Sequence, residues 1–266
     1  MGTSKGYTMP SGGNWEPLKR EATDFVKNGS TASSSPKPLL RDYLKVRPIS
    51  GASGRGASSG GTGRSSGGSA AGGSGGGRSG RRSGNAGIAT AQRIGGFFSL
   101  VGEVGLAAAL RELGLEDLIG KSAAELSDAL LEEMAGPAST LDQAAAREAL
   151  MELQDELLKE AETFQDVEQV LTKTIDNAGV VTILLRFLGH YIYQRFCTDF
   201  YEKWVKQVGS FRASQSLKNI RDCIEAAIAS KLAGIDLKKF MWCSPDGKRL
   251  SDQVLVEVRQ IFEVPA

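Results

Sequence analysis

Histidine occurs once in these 266 residues and cysteine three times. Cys197, Cys223 and Cys243 are odd in number and widely spaced. They give neither a disulfide framework nor a pair at metal-ligand spacing. No serine sits in a G-x-S-x-G context between a strand and a helix, and no G-x-x-x-x-G-K-[ST] loop and no E-x-x-H pair is present, which removes the familiar hydrolase, nucleotide-cradling and di-iron patterns. The acidic pairs Glu132/Glu133 and Glu160/Glu162 read as solvated faces, and no metal or other cofactor is expected. The single His190 sits in the most apolar stretch, AGVVTILLRFLGHYIYQRF (178–196), and reads as a core or partly exposed group rather than a base. Arg186 and His190 interrupt that stretch, leaving it short of the roughly 20 apolar residues that cross a bilayer. It therefore predicts a buried helix and no membrane contact. The opening MGTSKGYTMPSGG holds no hydrophobic run for a secretory signal, and Gly6 breaks the M-G-x-x-x-[ST] myristoylation pattern. The expectation is a reducing, cytoplasmic setting.

Charge is unevenly distributed. Residues 1–93 hold 14 Lys/Arg against 4 Asp/Glu, and residues 94–266 hold 18 against 27. A basic arm thus precedes an acidic body, so the arm is expected to meet an anionic surface. Residues 50–84 contain 15 Gly, 10 Ser and 5 Arg in 35 positions, with no aromatic or large aliphatic side chain. Nothing there offsets the entropy of ordering, which predicts a disordered linker with a coil span of roughly 30–35 Å. Arg55, Arg64, Arg78, Arg81 and Arg82 in this Gly/Ser context leave two readings open. One is weak, salt-sensitive, non-specific nucleic-acid binding. The other is a solubilising linker that associates loosely with the acidic body.

Two amphipathic islands interrupt the arm. In 14–30, Trp15, Leu18, Ala22, Phe25 and Val26 share one helical stripe; in 38–48, Leu39, Leu40, Tyr43 and Leu44 do. Helical islands are expected at about 14–28 and 38–46, each too short to be stable alone. Trp15, Leu18, Phe25, Val26, Leu40, Tyr43 and Leu44 are the candidate contacts, either in a partner's groove or on the protein's own body.

From residue 86 the periodicity is helical throughout. One helix is expected over 87–114 with Gly114 as its stop. Capping boxes at Ser122-x-x-Glu125 and Thr140-x-x-Gln143 open the next two. Further helices are expected at about 164–176, 179–208, 214–232 and 251–263, with a turn at Ser244–Gly247. The aromatics Phe187, Tyr191, Tyr193, Phe196, Phe200, Tyr201 and Trp204 fall at helical spacing and read as core. Strand signals are nearly absent. The fold class is all-α: a helical bundle domain, 86–266, preceded by a long disordered basic Gly/Ser/Arg-rich arm, 1–85.

The MGTS start, the W-x-x-x-K island, the Gly/Arg-rich stretch, LRELGLEDLIGKSAAEL, TLDQAAAREAL, YIYQRF and the closing VRQIFE together resemble the QatB component of the bacterial Qat anti-phage defence system. The likeness covers the tip and most of residues 97–263, while the linker agrees only in composition. It implies a non-enzymatic adaptor among partners: an ATPase, a QueC-like enzyme and a TatD-like nuclease. It also implies a modification site. Removal of Met1 would expose the Gly2 amine to a QueC-like enzyme that activates a carboxylated deazaguanine with ATP, with Thr3, Ser4, Lys5 and Gly6 as the neighbours read by that enzyme.

Overall fold

The computed structural model describes residues 12–13, 15–28, 35–49 and 85–234, together with 254, 258 and 260–262. These residues form helices and connecting turns, with no strand among them. Helix α1 spans Trp15–Lys27, α2 Lys37–Val46, α3 Asn85–Val104 and α4 Leu106–Glu112. A 3-10 turn at Glu116–Leu118 leads to α5, Ala123–Ala135, and then to α6, Leu141–Leu158. Helix α7 runs Phe164–Val208 and α8 Ser210–Gly234.

Local chemistry sets most boundaries. Ser122 Oγ accepts from the Glu125 amide while Glu125 Oε2 accepts from the Ser122 amide, and Thr140 and Gln143 reciprocate in the same way. A third box, Thr163 with Asp166, opens α7. Each box satisfies amides that a helix start otherwise leaves unpaired. The helix expected over 87–114 is instead broken into α3 and α4 at Gly105, whose φ of 84° an L side chain rarely adopts. Its amide still bonds to the Val101 carbonyl at 2.9 Å and its carbonyl to the Ala109 amide at 3.0 Å, so Gly105 keeps both of its own backbone groups paired at the break.

Gly179 (φ 72°, ψ 161°) interrupts α7 where the sequence places a gap between two helices. Beyond it the helix is apolar on nearly every side. Val181, Leu184, Leu185, Phe187, Leu188 and Ile192 are fully or almost fully buried. A helix buried on most of its sides belongs at the centre of a fold, and α7 packs against α1, α3, α5, α6 and α8. Its last turns carry Phe196, Phe200 and Trp204, whose rings lie 4.6–5.9 Å apart centre to centre. Gly209 (φ 83°) then turns the chain directly into α8, which starts four residues before the expected 214.

The islands form at the expected places but do not offer their stripes to a partner. Trp15, Leu18, Phe25, Val26, Leu40 and Tyr43 are buried in the core shared with α7, and Leu44 is partly buried against it. Phe25 lies 6.0 Å from Trp204, and Tyr43 packs edge-on to Phe196 at 5.1 Å. Partner contact through these side chains is therefore replaced by self-docking. Two helices of 13 and 10 residues gain stability by covering α7. They belong to the helical body rather than to an arm that ends at residue 85.

Val254, Val258 and Phe262, helical and buried at i, i+4, i+8, agree with the expected last helix. The linker 50–84, Cys243 and the Ser244–Gly247 turn lie outside the described residues. No described helix is long and apolar enough to cross a membrane.

Candidate functional site

Two polar assemblies sit on α7, on different faces. The first faces the surface between α6 and α8. His190 Nδ1 lies 3.0 Å from Glu152 Oε2, and His190 Nε2 lies 3.4 Å from Glu156 Oε2. Arg186 pairs with Glu156 at 2.6 Å, and Arg221 with Glu152 at 2.7 Å. Gln194 also donates to Glu152 Oε1 at 2.7 Å. The pattern follows from helix periodicity: 152 and 156 are one turn apart on α6, as are 186 and 190 on α7, so antiparallel packing brings the pairs together.

Burial opposes the charged imidazolium, but the hydrogen bonds and negative charge of Glu152 and Glu156 prevail and hold the His190 pKa up to about 9. Burial likewise works against ionised Glu152, yet His190 and Arg221 keep its carboxyl below the usual range. Glu156 is held low first by its hydrogen bond with His190, against burial, and then by Arg186. At neutral pH both ring nitrogens of His190 carry protons and lack the lone pair a general base needs. Burial also pushes the Cys197 thiol up to about 11, so it is not poised as a thiolate nucleophile.

The second assembly is buried and ties the islands to the body. Tyr191, Arg195 and Asp199 occupy one stripe of α7 at i, i+4, i+8. The Tyr43 hydroxyl donates to Asp199 Oδ2 at 2.9 Å, and Arg47 donates to Oδ1 at 3.0 Å. The Tyr191 hydroxyl donates to Asp142 Oδ1 at 2.6 Å, Arg195 Nε lies 3.5 Å from the same oxygen, and the Ala86 amide donates to Asp142 Oδ2 at 3.1 Å. The Arg195 guanidinium lies over the Tyr191 ring at 5.4 Å, and that of Arg47 over Trp15 at 5.2 Å. A Cβ at Gly87 would collide with the Tyr191 ring, so only glycine lets α3 seat here. Burial, then the charge of Asp199, pushes the Tyr43 phenol well above its ordinary range and keeps it a donor.

Gly2, Thr3, Ser4, Lys5 and Gly6 lie outside the described residues, as do Arg55, Arg64, Arg78, Arg81 and Arg82. Of the aromatic cluster, Phe187, Tyr191, Phe196, Phe200 and Trp204 are core; Tyr193 is half-buried and Tyr201 is 41% exposed. No group of three or more His, Cys, Asp or Glu among the described residues is arranged to hold a metal ion. Sequence reasoning missed Glu152, Glu156 and Arg221, and the stripe of Tyr191, Arg195 and Asp199. A polar residue every fourth position in an otherwise apolar helix was the available signal for that stripe.

The architecture defines an all-helical protein closed around one aromatic-rich central helix. Within that class the chain belongs to the QatB family: the model described as "Qat anti-phage system associated protein QatB" matches residues 75–262. The chain is accordingly a component of an anti-phage defence system. The matched stretch takes in α3 through α8 and ends at Phe262; α1, α2 and the opening tip precede it. No curated protein and no solved structure matches the chain.

Proposed function

We propose that this component is a non-enzymatic adaptor and substrate whose Gly2 amine, freed by removal of Met1, accepts a carboxylated deazaguanine from a QueC-like partner. The carboxylate attacks the α-phosphorus of ATP and pyrophosphate leaves, which gives an acyl-adenylate. The Gly2 nitrogen attacks its carbon, an amide bond forms, the nucleotide departs and the amine releases a proton. An α-amine titrates near 7.7–8.0 against about 10.4 for a lysine, so roughly a tenth to a sixth of it is uncharged and nucleophilic at neutral pH. Lys5 has no comparable fraction, and glycine brings no side chain to obstruct a narrow pocket.

The observation that carries this reading is the seating of α1. Trp15, Leu18, Phe25 and Val26 fix its start on the body, and the Trp15 amide bonds to the Gly12 carbonyl at 3.0 Å. The thirteen peptide steps from Gly2 to Trp15 span at most about 45 Å when extended. The acceptor therefore works on a short tether from a fixed point, and the modifying enzyme has to bind within that radius. The His190 clamp favours the adaptor reading too, since its imidazolium is engaged on both sides by carboxylates.

Intact-mass and N-terminal peptide mass spectrometry of the full chain, co-expressed with the QueC-like component, tests the proposal. The expected result is an added mass on the Gly2 peptide, absent without that component and absent in Gly2→Pro. An unshifted Gly2 peptide in the active assembly would refute it.

A further inference from the structure

Phe211 is 79% exposed, whereas no other large apolar residue among those described exceeds 51%. It stands at the corner where α7 ends at Val208, Gly209 turns the chain and α8 begins at Ser210. A ring so placed contributes little to the core. The helix face around it is polar. Positions 211, 214, 215 and 218 share one side of α8, and Phe211, Ser214, Gln215 and Lys218 are all exposed there, with Arg212 exposed beside them. Asp222 ends this face, which therefore covers two turns, or about 10 Å.

Charge at the corner is one-sided. Residues 202–218 hold Lys203, Lys206, Arg212 and Lys218 against Glu202, while residues 123–158 hold nine Asp/Glu against Arg147. Lys206 pairs with Glu202 at 3.7 Å. Lys203, Arg212 and Lys218 make no hydrogen bond or ion pair among the described residues. Burial, then the charge of Lys19 on α1, holds the Lys203 ammonium below the usual lysine range, so positive potential extends from the corner to α1.

These neighbours select the partner. An aromatic anchor in a protein interface sits within an apolar patch, and a membrane-seated helix needs a broad apolar face. Phe211 has neither, because the exposed residues on its face are a hydroxyl, an amide and an ammonium. A lone ring among cations and hydrogen-bonding groups matches a base flanked by phosphates. We propose that the α7–α8 corner binds single-stranded nucleic acid, with Phe211 stacking on a base and Lys203, Arg212 and Lys218 holding the adjoining phosphates. This binding shares no residue with the Gly2 reading and does not depend on it.

The test is fluorescence anisotropy of the full-length protein with a labelled oligothymidylate about 20 nucleotides long, from low to physiological salt. The background carries Arg55→Ser, Arg64→Ser, Arg78→Ser, Arg81→Ser and Arg82→Ser, which removes the linker's cations. Binding is expected to persist there, with log affinity falling against log salt at a slope of about −2 for three phosphates. Phe211→Ala and Phe211→Leu, each with an unaltered thermal melt, are expected to weaken binding at least about fivefold, the leucine separating stacking from mere apolar contact. Arg212→Ser with Lys218→Ser is expected to flatten the slope by about 1.4. Absence of binding in this background at low salt would overturn the proposal, as would affinity within twofold for both Phe211 variants. So would Phe211-dependent binding to phosphatidylserine vesicles without oligonucleotide binding, which assigns the corner to a membrane. Loss of a complex with the ATPase or QueC-like component in Phe211→Ala, at unchanged oligonucleotide affinity, assigns it to a protein and overturns the proposal equally.

Discussion

His190 is the sole histidine, so its ring gives the only imidazole signals in an NMR spectrum of untagged protein. In the unfolded chain it titrates near 6.5; in the fold, against burial, Glu152 and Glu156 hold it up to about 9. A folded-state pKa above the unfolded value means stabilisation that is complete below pH 6.5 and is lost as pH rises through about 9. The gap sets a ceiling of about 3 kcal/mol. Glu156 is 43% exposed, and solvent screening brings the realistic figure to about 1–2 kcal/mol. For a protein of this size that is a fall in Tm of roughly 2–8 °C between pH 6.5 and pH 10. The assay pairs a titration of the His190 Cε1–H resonance with urea unfolding at several pH values. His190→Gln keeps a hydrogen-bonding side chain but removes the titration, and its stability should lose this part of the pH dependence. A titration midpoint at or below 6.5, or an identical pH slope in the variant, would refute the clamp.

Two further expectations concern the seating of the islands. Tyr43→Phe deletes the buried donor to Asp199 and should cost about 1.5–3 kcal/mol, since hydrogen bonds to charged groups lie in that range; chemical denaturation measures it, and a loss below about 0.5 kcal/mol would show that Asp199 does not depend on Tyr43. A specific protease site placed within 50–84 and cut should leave residues 1–49 bound to the remainder, because the stripes of α1 and α2 are buried on it. Size-exclusion chromatography reads this directly, and separation of the fragments without denaturant would contradict the packing.

What was legible in the sequence was mostly local. Ser122 with Glu125 and Thr140 with Gln143 announce helix starts because the whole capping interaction lies within four residues. Gly136-Pro137 announces an end for the same reason. The stripes of α1 and α2 were readable as buried faces. What buries them was not, because an amphipathic pattern specifies that a face is covered and says nothing of the cover. The break at Gly105 was hidden by periodicity that continues through it on both sides. Glu152 and His190 stand 38 positions apart, and their meeting depends on the antiparallel register of α6 against α7, which no window of sequence contains.

The two ends of the glycine-rich segment are held near each other by groups that do not belong to it. Arg47 is fixed to Asp199, and the Ala86 amide to Asp142, which also takes the Tyr191 hydroxyl. Tyr191 and Asp199 are eight residues apart on one helix, a rise of about 12 Å. Neither contact changes if residues are gained or lost in between, and doubling such a loop costs only about 0.6 kcal/mol in closure entropy. Its length is thus free to drift between relatives, and it is the position at which a whole foreign domain could be grafted without disturbing the bundle.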